Sequence, residues 1–148
     1  MSDHRLKLEQ LLAPGDIGAI DASGRSNEGD VGALAALLKQ EFGIILETDP
    51  DIVAGFAADS SNLKGQAVGV ARPASAREAA AVLRGCFAAR IPVTVSAGKS
   101  NLTGSATPPG GVVLSTVNLV QPPVTVDIEN RIVRAPVGII LEQMREEV

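Results

Sequence analysis

Between Val93 and Leu114 two apolar segments enclose a run of small residues, Ser96-Ala-Gly-Lys-Ser-Asn-Leu-Thr-Gly-Ser-Ala-Thr-Pro-Pro-Gly-Gly111. Side chains this small let backbone N–H groups converge on an anion, the means by which proteins commonly grip phosphate and diphosphate groups. A plain turn needs far less chain, since connections in compact domains have a median of about 4–6 residues. The candidate anion-binding residues are Ala97, Gly98, Lys99, Ser100, Asn101, Gly104, Ser105 and Ala106. Lys99 can bring a point charge to the anion or stand as an ordinary solvated lysine. Ser100 can donate its hydroxyl to a phosphate oxygen or cap the turn, and the phosphate reading is preferred.

Other chemistry fares less well. Ala97-Gly98-Lys99-Ser100 resembles the end of a nucleoside-triphosphate loop, but that signature needs a glycine where Val93 stands and a helix where Gly104, Pro108 and Pro109 follow. The Gly-x-Gly-x-x-Gly spacing of dinucleotide folds does not occur. Cys86 falls on an apolar helical face and reads as core, not nucleophile. His4, the only histidine, lies near the terminus and is not assigned a catalytic role. No catalytic residue and no metal site is assigned.

Composition narrows the class. The 148 residues are 45% hydrophobic, enough for one globular domain. With three Phe, no Tyr and no Trp, the core must be built from Val, Leu, Ile and Ala. A net charge of −4 without a basic run argues against nucleic acid as a partner. One cysteine fits a reducing compartment. The N-terminus lacks a continuous apolar core of the secretory kind, and no stretch approaches the ~20 apolar residues of a membrane span. The expectation is a cytoplasmic protein with no membrane span.

The elements that must position the loop can be traced from spacing. Leu6, Leu8, Leu11 and Leu12 form a short amphipathic run ended by Pro14-Gly15, and the Gly/Ser/Asn/Asp-rich stretch from Asp21 to Asp30 reads as a loop. Leu34, Ala35, Leu38 and Phe42 trace a helical stripe from Val31, which Gly43 ends. Ile44-Ile45-Leu46 is ambiguous, and Asp51 to Ala58 reads as a helical turn. Val68 and Val70 predict a strand ended by Arg72-Pro73. Ser75 and Glu78 then form a capping box, and Ala79, Ala80, Leu83, Cys86 and Phe87 line one face of the helix that follows. Ile91 to Val95 returns as a strand, completing a strand–helix–strand crossover with parallel strands. Val112-Val113-Leu114 reads as a buried strand, Val124 to Arg134 as a hairpin about Glu129-Asn130, and Gly138 opens a helix carrying Ile140, Leu141 and Met144.

From Val68 to Val148 these pieces occur in the order of one family. Val68-Gly-Val-Ala-Arg-Pro-Ala-Ser75 with its capped helix, Arg90-Ile-Pro-Val-Thr-Val95, the small-residue loop, Pro109-Gly-Gly-Val-Val-Leu114, Val126-Asp-Ile-Glu-Asn-Arg131 and Ala135-Pro-Val-Gly138 resemble the first half of the FAD-binding domain of the vanillyl-alcohol oxidase / p-cresol methylhydroxylase type. The chain is most similar to the glycolate oxidase and D-lactate dehydrogenase branch. The family loop usually reads Arg-Gly-Gly-Gly-Thr-Gly-Leu-Ser/Thr-Gly-Gly-Ala. Leu102-Thr103-Gly104 fixes the alignment, and the chain departs from it at Ser96, Ala97, Lys99, Asn101 and Ser105. Ala and Ser keep the backbone approachable, and Asn tolerates positive φ. Asp59 to Lys64 has a counterpart in the family but is assigned no chemistry.

The resemblance implies an α+β fold, with a small mostly parallel sheet, a hairpin and flanking helices. It divides the chain into an N-terminal helical segment, 1–64, and an FAD-binding part, 65–148, incomplete at its C-terminus. It implies FAD as cofactor, held non-covalently because Ser100 stands where relatives that attach flavin through this loop carry histidine. The implied activity is flavin-dependent oxidation of a 2-hydroxy acid such as D-lactate or glycolate to a 2-oxo acid, with the substrate residues in a C-terminal part beyond Val148. Pro73 is a rigid strand terminator that the resemblance also places near the adenine. The alternative is an inactive remnant, or a half-domain that needs a partner chain to complete the FAD site.

Overall fold

A computed structural model of the protein describes residues 7–148; His4 and Leu6 lie outside them. Four strands make the sheet that carries the loop: Leu46–Glu47 (β1), Gly69–Ala71 (β2), Val93–Ser96 (β3) and Val112–Ser115 (β4), in the spatial order β1-β2-β4-β3. β2, β4 and β3 run parallel and β1 is antiparallel at the edge. The ambiguous segment near Leu46 is thus an edge strand. The crossover from β2 to β3 gives parallel strands, as the spacing predicts, but β4 lies between them. Its pairing with β3 opens at Gly111, whose φ is +70 and whose added Cβ would stand 2.1 Å from the Pro92 carbonyl oxygen. That carbonyl accepts a hydrogen bond from the Val112 N–H at 2.9 Å, so the strand begins at a close backbone approach that only glycine permits.

The described residues also form six helices: Leu8–Leu11 (α1), Pro14–Ser26 (α2), Val31–Phe42 (α3), Pro50–Ala54 (α4), Ala76–Ala88 (α5) and Leu141–Glu146 (α6). The hairpin is Thr125–Asp127 (β5) with Ile132–Arg134 (β6), a separate two-stranded sheet. The class is α+β, in agreement with the sequence reading.

The largest departure from that reading is α2. Asp21 to Ser26 is helix, and only Asn27 to Asp30 connects it to α3. Its small residues serve packing: Gly24 is buried, and a Cβ there would lie 2.5 Å from Ala88 Cβ. The two helices pack closely at that point, and Arg84 of α5 pairs with Asp21 of α2 through two hydrogen bonds of 2.6 and 2.5 Å. Tertiary contact has overridden weak local propensity. Pro14, expected to end the first run, sits in the first turn of α2 instead, where its missing N–H costs nothing.

α5 shows the second correction. Ser75 Oγ accepts from the Glu78 N–H at 3.2 Å, and the Glu78 carboxylate accepts from the Ala74 N–H at 2.9 Å, one residue earlier than a strict capping box. The buried residues are Ala80, Ala81, Val82, Gly85 and Cys86; Leu83 is exposed and Phe87 is 73% exposed. The helix meets the sheet, α2 and α3 together, so its covered arc is rotated toward the small residues that admit α2 and away from Phe87. Phe87 lies instead under the Arg84 guanidinium, 5.4 Å from it.

One core cluster joins Leu12, Ile20, Leu34, Leu38, Ile44 and Leu46 to Ala71, Val82, Cys86, Ile91, Val112 and Leu114. The stretch before residue 65 therefore contributes a strand as well as helices and shares its core with the sheet. On the opposite sheet face Val70 and Val113 pack with Val53 of α4, Phe56 and Ala67. α3 ends at Gly43 with φ +67, as expected. α6 begins at Leu141, three residues after Gly138; Gly138 sits in a turn, its N–H donating to the Leu119 carbonyl at 2.9 Å.

Candidate functional site

The small-residue loop leaves β3 and returns to β4, two parallel neighbours paired from Val93↔Val112 to Ser96↔Ser115. It therefore starts at the C-terminal edge of the sheet, where parallel α/β sheets characteristically bind ligands, and runs back to the N-terminal end of β4 beside Pro92. The residues singled out from sequence, Ala97 to Asn101 and Gly104 to Ala106, lie in this one loop. Ala97, Gly98, Ser100 and Ser105 are exposed, while Ala106 is buried.

The backbone of the first half is free to receive an anion. Among the described residues, the N–H groups of Gly98, Lys99, Ser100 and Asn101 have no hydrogen-bond acceptor. Lys99 has φ +56, and neither Gly98 nor Ser100 is positive, a change of hand of the kind found in anion-binding nests. Asn101, which would tolerate positive φ, does not adopt it; Lys99 does. An added Cβ at Gly98 would meet nothing within 4 Å, so the space above it is open. Gly104 differs: its φ is +76 and its Cβ would stand 2.6 Å from Leu63 Cδ1, so the fold itself requires glycine there.

A second segment, 55–66, braces the loop from below. The Lys99 ammonium turns back onto it, donating to the Gly55 carbonyl at 2.5 Å and lying 5.1 Å from the centre of the Phe56 ring. Lys99 thus contributes its charge to the brace, and its backbone to the loop. The Lys99 carbonyl in turn accepts from the Ser60 N–H at 3.0 Å and the Ser60 hydroxyl at 2.9 Å. The Asp59 carboxylate accepts from the Ser61 hydroxyl (2.5 Å), the Ser61 N–H (2.9 Å), Asn101 Nδ2 (2.6 Å) and the Ala106 N–H (3.2 Å). These donors, the Ser61 hydroxyl first, hold Asp59 well below the usual carboxylate range. Farther along, the Gln66 N–H donates to the Pro108 carbonyl at 2.7 Å. Sequence reasoning assigned nothing to Asp59. Its contacts lie 42 and 47 residues downstream, and only the local Asp-Ser-Ser turn pattern was available to hint at it.

Ser96 and Ser115 face each other across β3 and β4, and both hydroxyls are buried without a partner among the described residues, as is that of Thr107. Alternation along the strands puts Ser115 on the same sheet face as Val113, the face of the 55–66 brace. Cys86 is elsewhere, under α5, its thiol pushed up to about 11 by burial, which suits a core residue and not a nucleophile. Among the described residues no group of three or more His, Cys, Asp or Glu could hold a metal ion.

Residues 67–148 match the family described as FAD binding domain. The chain belongs to that family. The matched part begins just before β2 and takes in the whole loop, α5, the hairpin and α6. Successive N–H groups without an acceptor among the described residues, as at Gly98 to Asn101, are chemically suited to a phosphate-type anion. Among solved structures the chain is similar to a xylooligosaccharide oxidase from Myceliophthora thermophila C1 in complex with xylobiose, with a TM-score of 0.56 and 14% sequence identity. That alignment covers 87% of this chain and 24% of the oxidase chain, so this FAD-binding chain spans about a quarter of its structural relative. The similarity is one of fold. No curated protein matches. No helix is long and apolar enough to cross a membrane among the described residues.

Proposed function

We propose that this chain is the FAD-holding part of a flavin-dependent oxidase of alcohols, and that its substrate is a 2-hydroxy acid of the D-lactate or glycolate kind, oxidised to the 2-oxo acid. The observation that carries the reading is the row of unpaired N–H groups from Gly98 to Asn101, in a chain of the FAD-binding family. Ala97 to Asn101 would hold the FAD diphosphate through backbone N–H groups, with Ser100 adding its hydroxyl. Gly104, Ser105 and Ala106 would close the far side of the same loop. FAD, when bound, supplies the acceptor for the hydride leaving the carbinol carbon. This chain's part is to bind it, orient it and keep the diphosphate ordered. The 2-hydroxy acid rests on the likeness of Val68 to Val148 to the glycolate oxidase and D-lactate dehydrogenase branch. In the family that Val68 to Val148 resembles, the residues that bind the substrate carboxylate and take the hydroxyl proton follow the matching stretch, and none is assigned among residues 1–148.

Gly98→Val in the full-length protein tests the diphosphate assignment. The fold leaves room for the side chain, so thermal stability should hold while flavin content falls by at least tenfold. A folded variant with normal flavin would refute the placement. Activity of the full-length protein is expected with D-lactate or glycolate and not with neutral oligosaccharides; the reverse preference would refute the substrate. The FAD is proposed to be non-covalent, since Ser100 offers no nucleophile of the histidine kind. Acid precipitation should leave the flavin in the supernatant.

A further inference from the structure

We propose that Asp59, which lies outside the matched residues 67–148, is a positioning residue for the diphosphate loop. The proposal rests on the reading that Gly98 to Asn101 receive the diphosphate. A carboxylate beside an anion site is at first sight misplaced, because like charges repel. Here its negative charge is directed at donors. One oxygen takes the two Ser61 donors on its own segment; the other takes Asn101 Nδ2 at 2.6 Å and the Ala106 N–H at 3.2 Å. The second oxygen therefore ties together both ends of the loop tip from Asn101 to Ala106. The Asn101 amide also donates to Ser105 Oγ at 3.1 Å, which fixes its orientation.

The neighbouring residue completes the arrangement. Ser60 donates twice to the Lys99 carbonyl. An anion cradle must present N–H groups and turn its carbonyls away, and this pair of hydrogen bonds holds the Lys99 carbonyl on the brace side. Asp59 itself is fixed by its own excursion, closed where the Gly65 N–H donates to the Ala57 carbonyl at 2.8 Å and where Ala58 bridges Lys64. All four groups around Asp59 are donors. An amide of the same shape offers one acceptor and turns its NH2 against two of them.

The test is Asp59→Asn in the full-length protein, read as affinity for FAD and for riboflavin, which has no phosphate. Loss of charged hydrogen bonds to the loop should weaken FAD by roughly 10–100-fold and leave riboflavin affinity and thermal stability close to wild type. Equal weakening of both flavins would make Asp59 a general structural residue and overturn the proposal. Unchanged FAD affinity would overturn it too. Gly98→Val, measured alongside, separates the two ideas: if it weakens FAD while Asp59→Asn does not, the positioning role fails and the diphosphate reading stands; if neither weakens FAD, the diphosphate reading fails with it. Should Asp59→Asn not fold, Asn101→Ala removes the loop side of the contact. FAD weakened several-fold against constant riboflavin then supports the proposal, and no change overturns it.

Discussion

β4 and the β5–β6 hairpin are both short, Val-rich and legible as strands, yet they end in opposite surroundings. All four residues of Val112–Ser115 are buried, with α5 on one face and α4 with the 55–66 brace on the other. Every residue of Ile132–Arg134 is exposed, and Ile128 at the turn is 83% exposed. α6 likewise buries none of its residues. Apolarity earns burial only where a second element arrives to cover it; a two-stranded hairpin has no core of its own. The side chains of Val126, Ile128, Ile132, Val133, Val137, Ile140 and Leu141 are all exposed.

That contrast is open to attack by substitution. Leu114→Ala in β4 should cost about 2–5 kcal/mol, as truncations of buried leucine do. Its counterpart Ile132→Ala in β6 should cost about 0.5 kcal/mol or less. Urea denaturation midpoints decide it, and equal losses would mean that the hairpin is covered in solution. Gly24→Val probes the α2–α5 contact, where the added side chain has no room; about 1–3 kcal/mol should be lost by overpacking, and a neutral result would detach α2 from the core. Ser75→Ala, removing the cap of α5, should lower stability by about 1 kcal/mol, a change visible as a shift of several degrees in thermal unfolding.

Smaller effects sharpen the picture. Ile128→Asp with Ile140→Asp should leave the denaturation midpoint nearly unchanged and reduce concentration-dependent association of the 148-residue chain, read by light scattering. Unaltered association would place the sticky surface elsewhere. Cys86 reports on the core by titration. Its thiol is raised from an ordinary 9.0 to about 11, so the neutral form is the folded form. The associated stability is fully present below pH 9 and is lost as pH rises through 11. Thiol reagents at pH 8 should label native protein slowly and unfolded protein at once.

The sequence by itself determined the elements whose cause is local. Asp51 to Ala58 reads as a helical turn, of which α4 takes only the part to Ala54; Ser75 with Glu78 starts α5, Gly43 ends α3, the alternation about Glu129-Asn130 makes a hairpin, and the small residues from Ala97 to Ala106 make a loop. It also carried the family, because ordered motifs survive in one dimension. What the tertiary structure decided is whatever depends on a distant partner. Asp21 to Ser26 looks like loop until Gly24 is set against Ala88 and Asp21 against Arg84. The face of α5 could not be placed without α2, since Leu83 and Phe87 are as apolar as Val82. β4 lies between β2 and β3, and its pairing with β3 opens where Gly111 touches Pro92, a contact no spacing rule reveals. Asp59, assigned no chemistry from sequence, becomes the acceptor for Asn101 and Ala106 only when the chain brings together groups more than forty residues apart. Local propensity is written in neighbours along the chain; side-chain partnership is a matter of neighbours in space.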